Sequence, residues 1–402
     1  MAGYDAEVIV VGGGPAGSVA AAALAERGRR VLLLDKARFP RHKACSEYVN
    51  AAGARLLADL GLERDLDALG AHRMEAMLIH APGGRRFLAD FAAAEPSGTA
   101  LGLSRLRLDA LLLERARAVG AEVREGAHVR EALTEDGRVQ GVEVTIAGVR
   151  ETLRAPLVIG ADGRHGVVAR SLGLECALRW PRRTGLVAHY RGVSGLDRWG
   201  EMHVGAGCYA GLAPLEEGLV NVAFVTGSAA VANRAEPLEA FFERGLAGLP
   251  EVARKLAGAE RVGRIRGVGP MAHRARRVAG DGFLLVGDAA SFLDPFTGDG
   301  VYEAMRGALL AAPIADAALR VGDVSAERLA SYRDVRRCAF WAKRRVAWLV
   351  QGFISTPALM DYAADRLDER GGARETLSGV LGGLRPAREA LSPVFLARLL
   401  RP

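Results

Sequence analysis

The sequence predicts an α/β fold: a Rossmann-like domain, a β-sheet inserted into it, and a helical region at the C-terminal end. Three observations predict it. A strand, a glycine turn, a helix and a second strand open the chain. Short strands with alternating polarity interrupt its middle. Beyond about residue 301 the pattern is helical.

The opening unit carries the most information. Ala6-Glu7-Val8-Ile9-Val10-Val11 is a buried-strand run, and Gly12-Gly13-Gly14-Pro15-Ala16-Gly17 follows it. Ser18 to Arg27 is alanine-rich and helix-forming, Val31-Leu32-Leu33-Leu34 is a second strand, and Asp35 closes it. In such a unit Gly12 permits the tight turn, Gly14 lets the backbone approach a pyrophosphate, and Gly17 lets the helix pack close to the strand. The helix N-terminus offers free N–H groups and partial positive charge to phosphates. Asp35 lies 21 residues after Gly14, near the usual spacing for a carboxylate that binds a ribose. Together these elements specify a dinucleotide site, which the glycines alone would not.

The following elements are read from periodicity. Ala51 to Leu69 is helical, Met77 to His80 and Arg85 to Phe91 are strands around a Pro82-Gly83-Gly84 turn, and Leu106 to Ala118 is a helix. A strand begins at Glu122, Asp136-Gly137 turns a hairpin, and Leu157-Val158-Ile159 is a short buried strand. Gly185 to Arg191, Glu201 to Val204 and Leu219 to Val225 read as strands of a sheet with one covered face. Phe283 to Val286 returns to the buried pattern, and the helices after residue 301 break at Pro313, Pro357, Gly371-Gly372 and Pro386. The nucleotide domain is therefore discontinuous (1–70, 101–184 and 269–330). The inserted domain takes 71–100 and 185–268, and the C-terminal helical region 331–402.

Composition narrows the function. A chain of 402 residues, half of them hydrophobic, can bury large cores. Only 6% are aromatic, and the net charge of +7 is spread over scattered doublets and triplets. That pattern argues for a solvated basic surface and against nucleic-acid binding. Cys45, Cys176, Cys208 and Cys338 form no CxxC pair, so neither a disulfide framework nor a zinc site is expected. No apolar run reaches the roughly 18 residues of a membrane span, and a cytoplasmic location is expected.

Three later segments bear chemistry. Gly160-Ala161-Asp162-Gly163 and Gly287-Asp288-Ala289-Ala290 each end a buried strand, where ligands of open α/β sheets collect. Asp294-Pro295-Phe296-Thr297-Gly298-Asp299-Gly300 follows the second. Ser104-Arg105 starts a helix from which the arginine can reach phosphate or flavin edges. With these motifs in this order, residues 5–315 resemble the p-hydroxybenzoate hydroxylase-like flavoprotein superfamily, whose FAD domain is of the p-hydroxybenzoate hydroxylase/glutathione reductase type. The segments Phe39 to Cys45 and Asp294 to Val301 look most like its geranylgeranyl reductase-like branch. Ala44 to Tyr48, Glu201 to Val204 and Ala289 to Pro295 resemble a bacterial subgroup associated with polyketide pathways.

The resemblance implies FAD. Gly12, Gly14, Pro15, Ala16 and Gly17 would hold the pyrophosphate, Asp35 with Lys36 the adenosine end, and Lys43, Arg105, Asp162 and Gly163 the middle of the cofactor. Gly287 and Asp288 would hold the ribityl chain. Pro295, Gly298, Asp299, Gly300 and Val301 would lie against the isoalloxazine, where the helix N-terminus would stabilise negative charge on reduced flavin. Asp288, on the enclosed ribityl chain, is expected to matter more for FAD retention than Asp35 nearer the surface. Family members usually have serine where Gly166 stands.

The candidate catalytic residues are Cys45, a thiol beside the cation Lys43, and Glu201 and His203, which share one face of a strand. If that face lines the cavity, they bind or deprotonate a substrate hydroxyl. Tyr209 is a candidate substrate contact. Gly205-Ala206-Gly207 mimics a second dinucleotide turn, but Pro214 and Gly218 come too soon for the required helix. Phe340 to Leu349 is basic, aromatic and amphipathic. The favoured reading is a packed helix with a snorkelling edge, and contact with a membrane or lipid-like substrate is the alternative.

The expected function is an FAD-dependent monooxygenase. NAD(P)H would reduce the flavin, and a C4a-hydroperoxide would hydroxylate a small apolar or phenolic secondary metabolite, free or carrier-bound. A reductase of isoprenoid or polyketide carbon–carbon double bonds is the alternative, from the geranylgeranyl reductase-like segments. A flavin-dependent halogenase ranks lower, because the Trp-x-Trp-x-Ile-Pro box of that family is absent.

Overall fold

In the computed structural model, which describes residues 3–96, 98–196 and 198–400, the apolar run Val8–Val11 is the centre of a six-stranded sheet. It pairs in parallel with Val31–Asp35 on one side and Leu157–Gly160 on the other. Glu122–Glu125 and Phe283–Leu285 extend the sheet in parallel, and Ala279–Gly280 adds a short antiparallel edge. Both faces are covered, which is why these strands are apolar without alternation. Val8, Val10, Leu33 and Ile159 pack beneath the helices Pro15–Ala25, Arg105–Ala118 and Gly300–Arg320. Ile9, Leu32, Leu34 and Val158 pack against a three-stranded meander, Ala127–Glu135, Arg138–Ile146 and Val149–Arg154.

The inserted sheet has seven strands. Their order is Glu260–Val268, Arg183–Arg191, Val220–Gly227, Cys208–Pro214, Gly200–Gly205, Ala76–His80 and Arg86–Asp90. All neighbours are antiparallel except Gly200–Gly205 with Ala76–His80. Its back face, including Leu186, Ala210, Leu212 and Phe224, is buried with residues of the helices Leu238–Ala247 and Pro250–Leu256. Its front face, including Ile79, Met202 and Val204, joins a core with Val346, Ile354 and Met360 of the C-terminal helices.

Those helices run Ala326–Ile354, Pro357–Glu369, Gly371–Gly382 and Pro393–Leu400. Pro357 occupies the first helical turn, where its missing N–H costs nothing. Pro313 is a correction to the sequence reading, because it lies inside the helix Gly300–Arg320 and does not end it. Its ring is exposed, so water can satisfy the carbonyl it frees. The opposite side, with Ala308, Ala311, Ala312 and Ala315 fully buried, holds the helix in place.

Candidate functional site

The glycine turn is built by close approach. Gly12 has φ 104°, and a Cβ there would stand 2.6 Å from the carbonyl oxygen of Ala161 on the neighbouring motif. A Cβ on Gly17 would overlap the carbonyl oxygen of Gly12, so helix and turn meet only because both are glycine. Asp35 is buried and accepts from the backbone N–H groups of Gly13 and Ala37, each at 2.7 Å. It braces the turn. Lys36 is exposed just past the strand.

A Cβ on Gly14 would stand 3.7 Å from the Nη2 atoms of both Arg41 and Arg105. The two guanidiniums share one fully buried partner, Asp109: Arg105 donates to it at 2.6 and 2.7 Å and Arg41 at 2.7 Å. Two cations on one anion leave positive charge facing the turn. Burial works against the Arg105 charge, but Asp109 and then Cys45 outweigh it and hold its pKa above the ordinary value. Enclosure by the protein, and then repulsion from Arg105, lower the Lys43 ammonium.

Gly14, Pro15, Ala16, Lys43, Cys45, Arg105, Gly163, Asp288, Pro295, Gly298, Gly300 and Val301 line one cleft of about 1140 Å³, bounded on the far side by Val187, Ala223 and Val225 of the inserted sheet. Gly287 (φ 58°) seats the second motif on the first helix, since a Cβ there would stand 2.8 Å from the Ala16 side chain. Asp288 lines the cleft and is half-buried, whereas Asp35 is buried by the turn it braces.

Asp162 and Asp299 serve the frame. Asp162 Oδ2 accepts from Val168 N at 3.1 Å, Oδ1 has no partner, and burial raises the carboxyl above its usual range. A Cβ on Gly166 would stand 3.0 Å from Asp162 Cγ, so the space a serine would need is taken by the acid. Asp299 caps the helix Gly300–Arg320, and its Oδ1 accepts from Asn50 Nδ2 at 2.9 Å and Lys343 Nζ at 2.6 Å.

A phosphate-facing glycine turn, two converging guanidiniums, an open acid and a helix N-terminus on one cleft fit FAD. The pyrophosphate would meet Gly14, Arg41 and Arg105, and the ring would reach Pro295 to Val301.

Cys45 stands in this cleft, its Sγ 3.4 Å from the N–H of Glu47 and beside Arg105. Glu47 was not singled out from sequence, yet it anchors the loop. Buried at φ 56°, it accepts from Arg105 N (2.8 Å) and Asn221 Nδ2 (2.9 Å), and it meets His189 Nε2 at 2.5 Å. A lone acid in a loop carries no sequence signal for contacts with residues 58, 142 and 174 positions away. Asp109 was legible in principle, because it stands one helical turn after Arg105.

Glu201 and His203 are a correction. They share a strand face, as their spacing requires, but it is the back face. Their cross-strand partners Leu212 and Ala210 belong to the core under the helices Leu238–Ala247 and Pro250–Leu256. Glu201 Oε2 meets His203 Nε2 at 2.8 Å, and Oε1 meets Lys255 Nζ of the second helix at 2.9 Å. Burial pushes the Glu201 carboxyl up, but the bonds to His203 and Lys255 bring it below its usual range. His80 stacks on His203 at 4.3 Å, and burial, then His203, push it down to about 4. Tyr209 is also corrected. It is on the front face but enclosed, its hydroxyl donating to Asp294 at 2.6 Å and its ring edge-on to Phe296 at 5.2 Å. Gly205-Ala206-Gly207 falls at a hairpin turn, with Gly205 paired to Cys208.

Met202, not Glu201, presents its side chain to the front, where a second chamber adjoins the cleft. Ser46, Tyr48, Pro295 and Gly298 border both the cleft and a second chamber of about 570 Å³, lined further by Met77, Ile79, Met202 and Phe296. Ile79, Phe296 and Leu381 in turn border a third chamber of about 600 Å³ among the C-terminal helices. Every residue lining that third chamber is apolar, Leu349, Phe353, Met360 and Phe395 among them.

An FAD binding domain model matches residues 5–347. Digeranylgeranylglycerophospholipid reductase 2 of Methanopyrus kandleri is 36% identical over 338 residues, 82% of this chain and 81% of its own length. A geranylgeranyl bacteriochlorophyll reductase-like protein of Thermoplasma acidophilum superposes with a TM-score of 0.80 at 22% identity, over 96% of this chain and 98% of that one. The flavin-dependent brominase Bmp2 superposes with 0.83 at 22% identity, over 94% and 93%. The last two show the shared fold. Among the described residues no helix is long and apolar enough to cross a membrane. With its cleft and its motifs in register, the chain belongs to the FAD binding domain family, in the geranylgeranyl reductase-like branch, and is an FAD-dependent oxidoreductase.

Proposed function

We propose that this enzyme reduces carbon–carbon double bonds of a long isoprenoid chain, in place of the hydroxylation expected from sequence. The observation that carries this is a row of three adjoining chambers with shared lining residues, the last of them walled by apolar side chains alone. A phenol hydroxylase needs a polar group to hold and deprotonate its substrate. The candidates for that role are committed elsewhere: Glu201 and His203 face away, and the Tyr209 hydroxyl is taken by Asp294. A hydrocarbon chain needs only apolar walls, gaining about 25 cal/mol per Å² buried. The reductase relatives, at up to 36% identity, support the same reading. Bmp2 shares the fold at 22% identity, which does not argue for halogenation.

FAD, when bound, supplies the hydride, with NAD(P)H as the proposed electron source. The chain's residues do the rest. Arg41, Arg105 and the glycine turn hold the pyrophosphate, and the N-terminus of the helix Gly300–Arg320 stabilises negative charge at the ring edge. Saturation also requires a proton at the second carbon. Cys45 is the proposed donor: it lines the cleft, with the Arg105 guanidinium beside it. Solvent entering the cleft then reprotonates it.

The test is anaerobic. Reduced enzyme is mixed with a geranylgeranyl-chain lipid. The expected result is flavin reoxidation without oxygen and a product heavier by two hydrogens per bond reduced. No reoxidation by the alkene, together with oxygen-dependent hydroxylation of a phenol, would overturn the reading.

A further inference from the structure

The C-terminal helix Ala326–Ile354 is 29 residues long, roughly 43 Å. Its inner side is accounted for: Phe340 and Val346 are buried, and Leu349, Val350 and Phe353 line the third chamber. Its outer side is unusual. Trp341 is 51% exposed and Trp348, two turns on, is 38% exposed. Trp180, 43% exposed, comes from a distant loop and stacks on Trp348 at 5.3 Å. Three of the chain's four tryptophans thus stand on one exposed surface. Isolated exposed apolar residues are ordinary, but a contiguous tryptophan group is not.

The charges closest to it are arginines. Arg345 lies over the Trp341 ring at 5.4 Å, and exposed Arg179 and Arg182 flank Trp180. None of the three forms an ion pair with a described residue, whereas most exposed arginines nearby on the helix do, such as Arg333 and Arg337 with Asp334.

We propose that this face docks on an anionic lipid bilayer. Tryptophan is the side chain that prefers the boundary of hydrocarbon and water, and unpaired arginine complements anionic headgroups. The helix would lie in the plane of the interface, with its tryptophans among the headgroups and its inner side walling the apolar chamber. The surface and the chamber are then two sides of one helix, so an apolar chain leaving the bilayer has a short path inward.

The experiment is flotation of the FAD-loaded full chain with vesicles of phosphatidylcholine, alone or mixed with phosphatidylglycerol. Mixed vesicles are expected to carry at least about fivefold more protein than neutral ones, with the excess falling as salt rises. The pair Trp341→Ser and Trp348→Ser should abolish flotation, and Arg345→Glu should remove the preference for anionic lipid. None of the three lines the FAD cleft, so FAD content should not change, and the lost Trp180–Trp348 stack should lower the unfolding midpoint only slightly. No flotation with anionic vesicles, or flotation unchanged in the tryptophan pair, overturns the proposal. So does a wild-type dimer that the tryptophan pair converts to monomer, which would assign the face to a second copy of the chain. Substrate plays no part in the measurement, so either outcome leaves the double-bond reduction to its own test.

Discussion

Asp35 and Asp288 show how the environment of a residue decides what its loss costs. Both were read as FAD ligands, but only Asp35 is tied into the protein, by two backbone N–H groups. Removing it strands a buried donor on Gly13, at about 1–3 kcal/mol. Asp35→Ala is therefore expected to lower the melting temperature of the apoprotein and to weaken FAD binding at least as much as Asp288→Ala. Asp288→Ala should weaken FAD binding alone. Melting curves without FAD and dissociation constants for both variants decide it. His203→Ala is expected to behave oppositely to an active-site change. It breaks the bond to Glu201 and the stack on His80, costing about 2–3 kcal/mol of stability, while FAD content and turnover stay near wild type. A variant of normal stability with turnover lost would return His203 to the cavity. Cys45→Ala should slow turnover by about a hundred- to ten-thousandfold with FAD affinity little changed, in line with loss of a general acid. Single-turnover flavin reoxidation by the alkene is the readout.

At the scale of the element, the helix Ala326–Ile354 joins the motif around Asp299 to the apolar third chamber. Lys343 pairs with the Asp299 cap, and Arg336 and Arg344 both reach Ser291. Glu303, one turn into the helix that Asp299 caps, sits among these groups. Burial, and then Asp299, raise its carboxyl to about 7. The folded chain keeps this proton at pH values where the unfolded chain, with the ordinary value of 4.5, has released it. The contribution to stability is thus full below 4.5 and is lost as pH rises through about 7. Glu303→Gln should match wild type near pH 5 and exceed it near pH 8, by about 1–3 kcal/mol. Denaturant unfolding at the two pH values checks this, and a pH-independent difference would count against it.

At the scale of the molecule, three chambers adjoin one another only because the inserted sheet, the flavin motifs and the C-terminal helices meet at Tyr48, Phe296 and Leu381. Leu381→Trp would narrow the junction between the second and third chambers. Turnover of a long isoprenoid is expected to fall by at least about tenfold while a short one is affected little, at about 1–3 kcal/mol of overpacking. Equal losses on both substrates would place the long chain elsewhere.

Sequence alone determined the nucleotide fold and its cofactor class. Those signals are local: Gly17 is needed where its helix touches the backbone of Gly12, five residues before it, and unalternating apolar strands state that both faces are covered. It also located Cys45 and Arg105, because the motifs that carry them are short. The tertiary structure decided the rest. A period of two places Glu201 and His203 on one face but cannot say which face looks at the cofactor. That depended on where the helices Leu238–Ala247 and Pro250–Leu256, absent from the sequence reading, came to pack. The row of chambers was equally hidden, since its walls come from segments as distant as Ile79, Phe296 and Leu381, each an ordinary core residue until the fold leaves space between them.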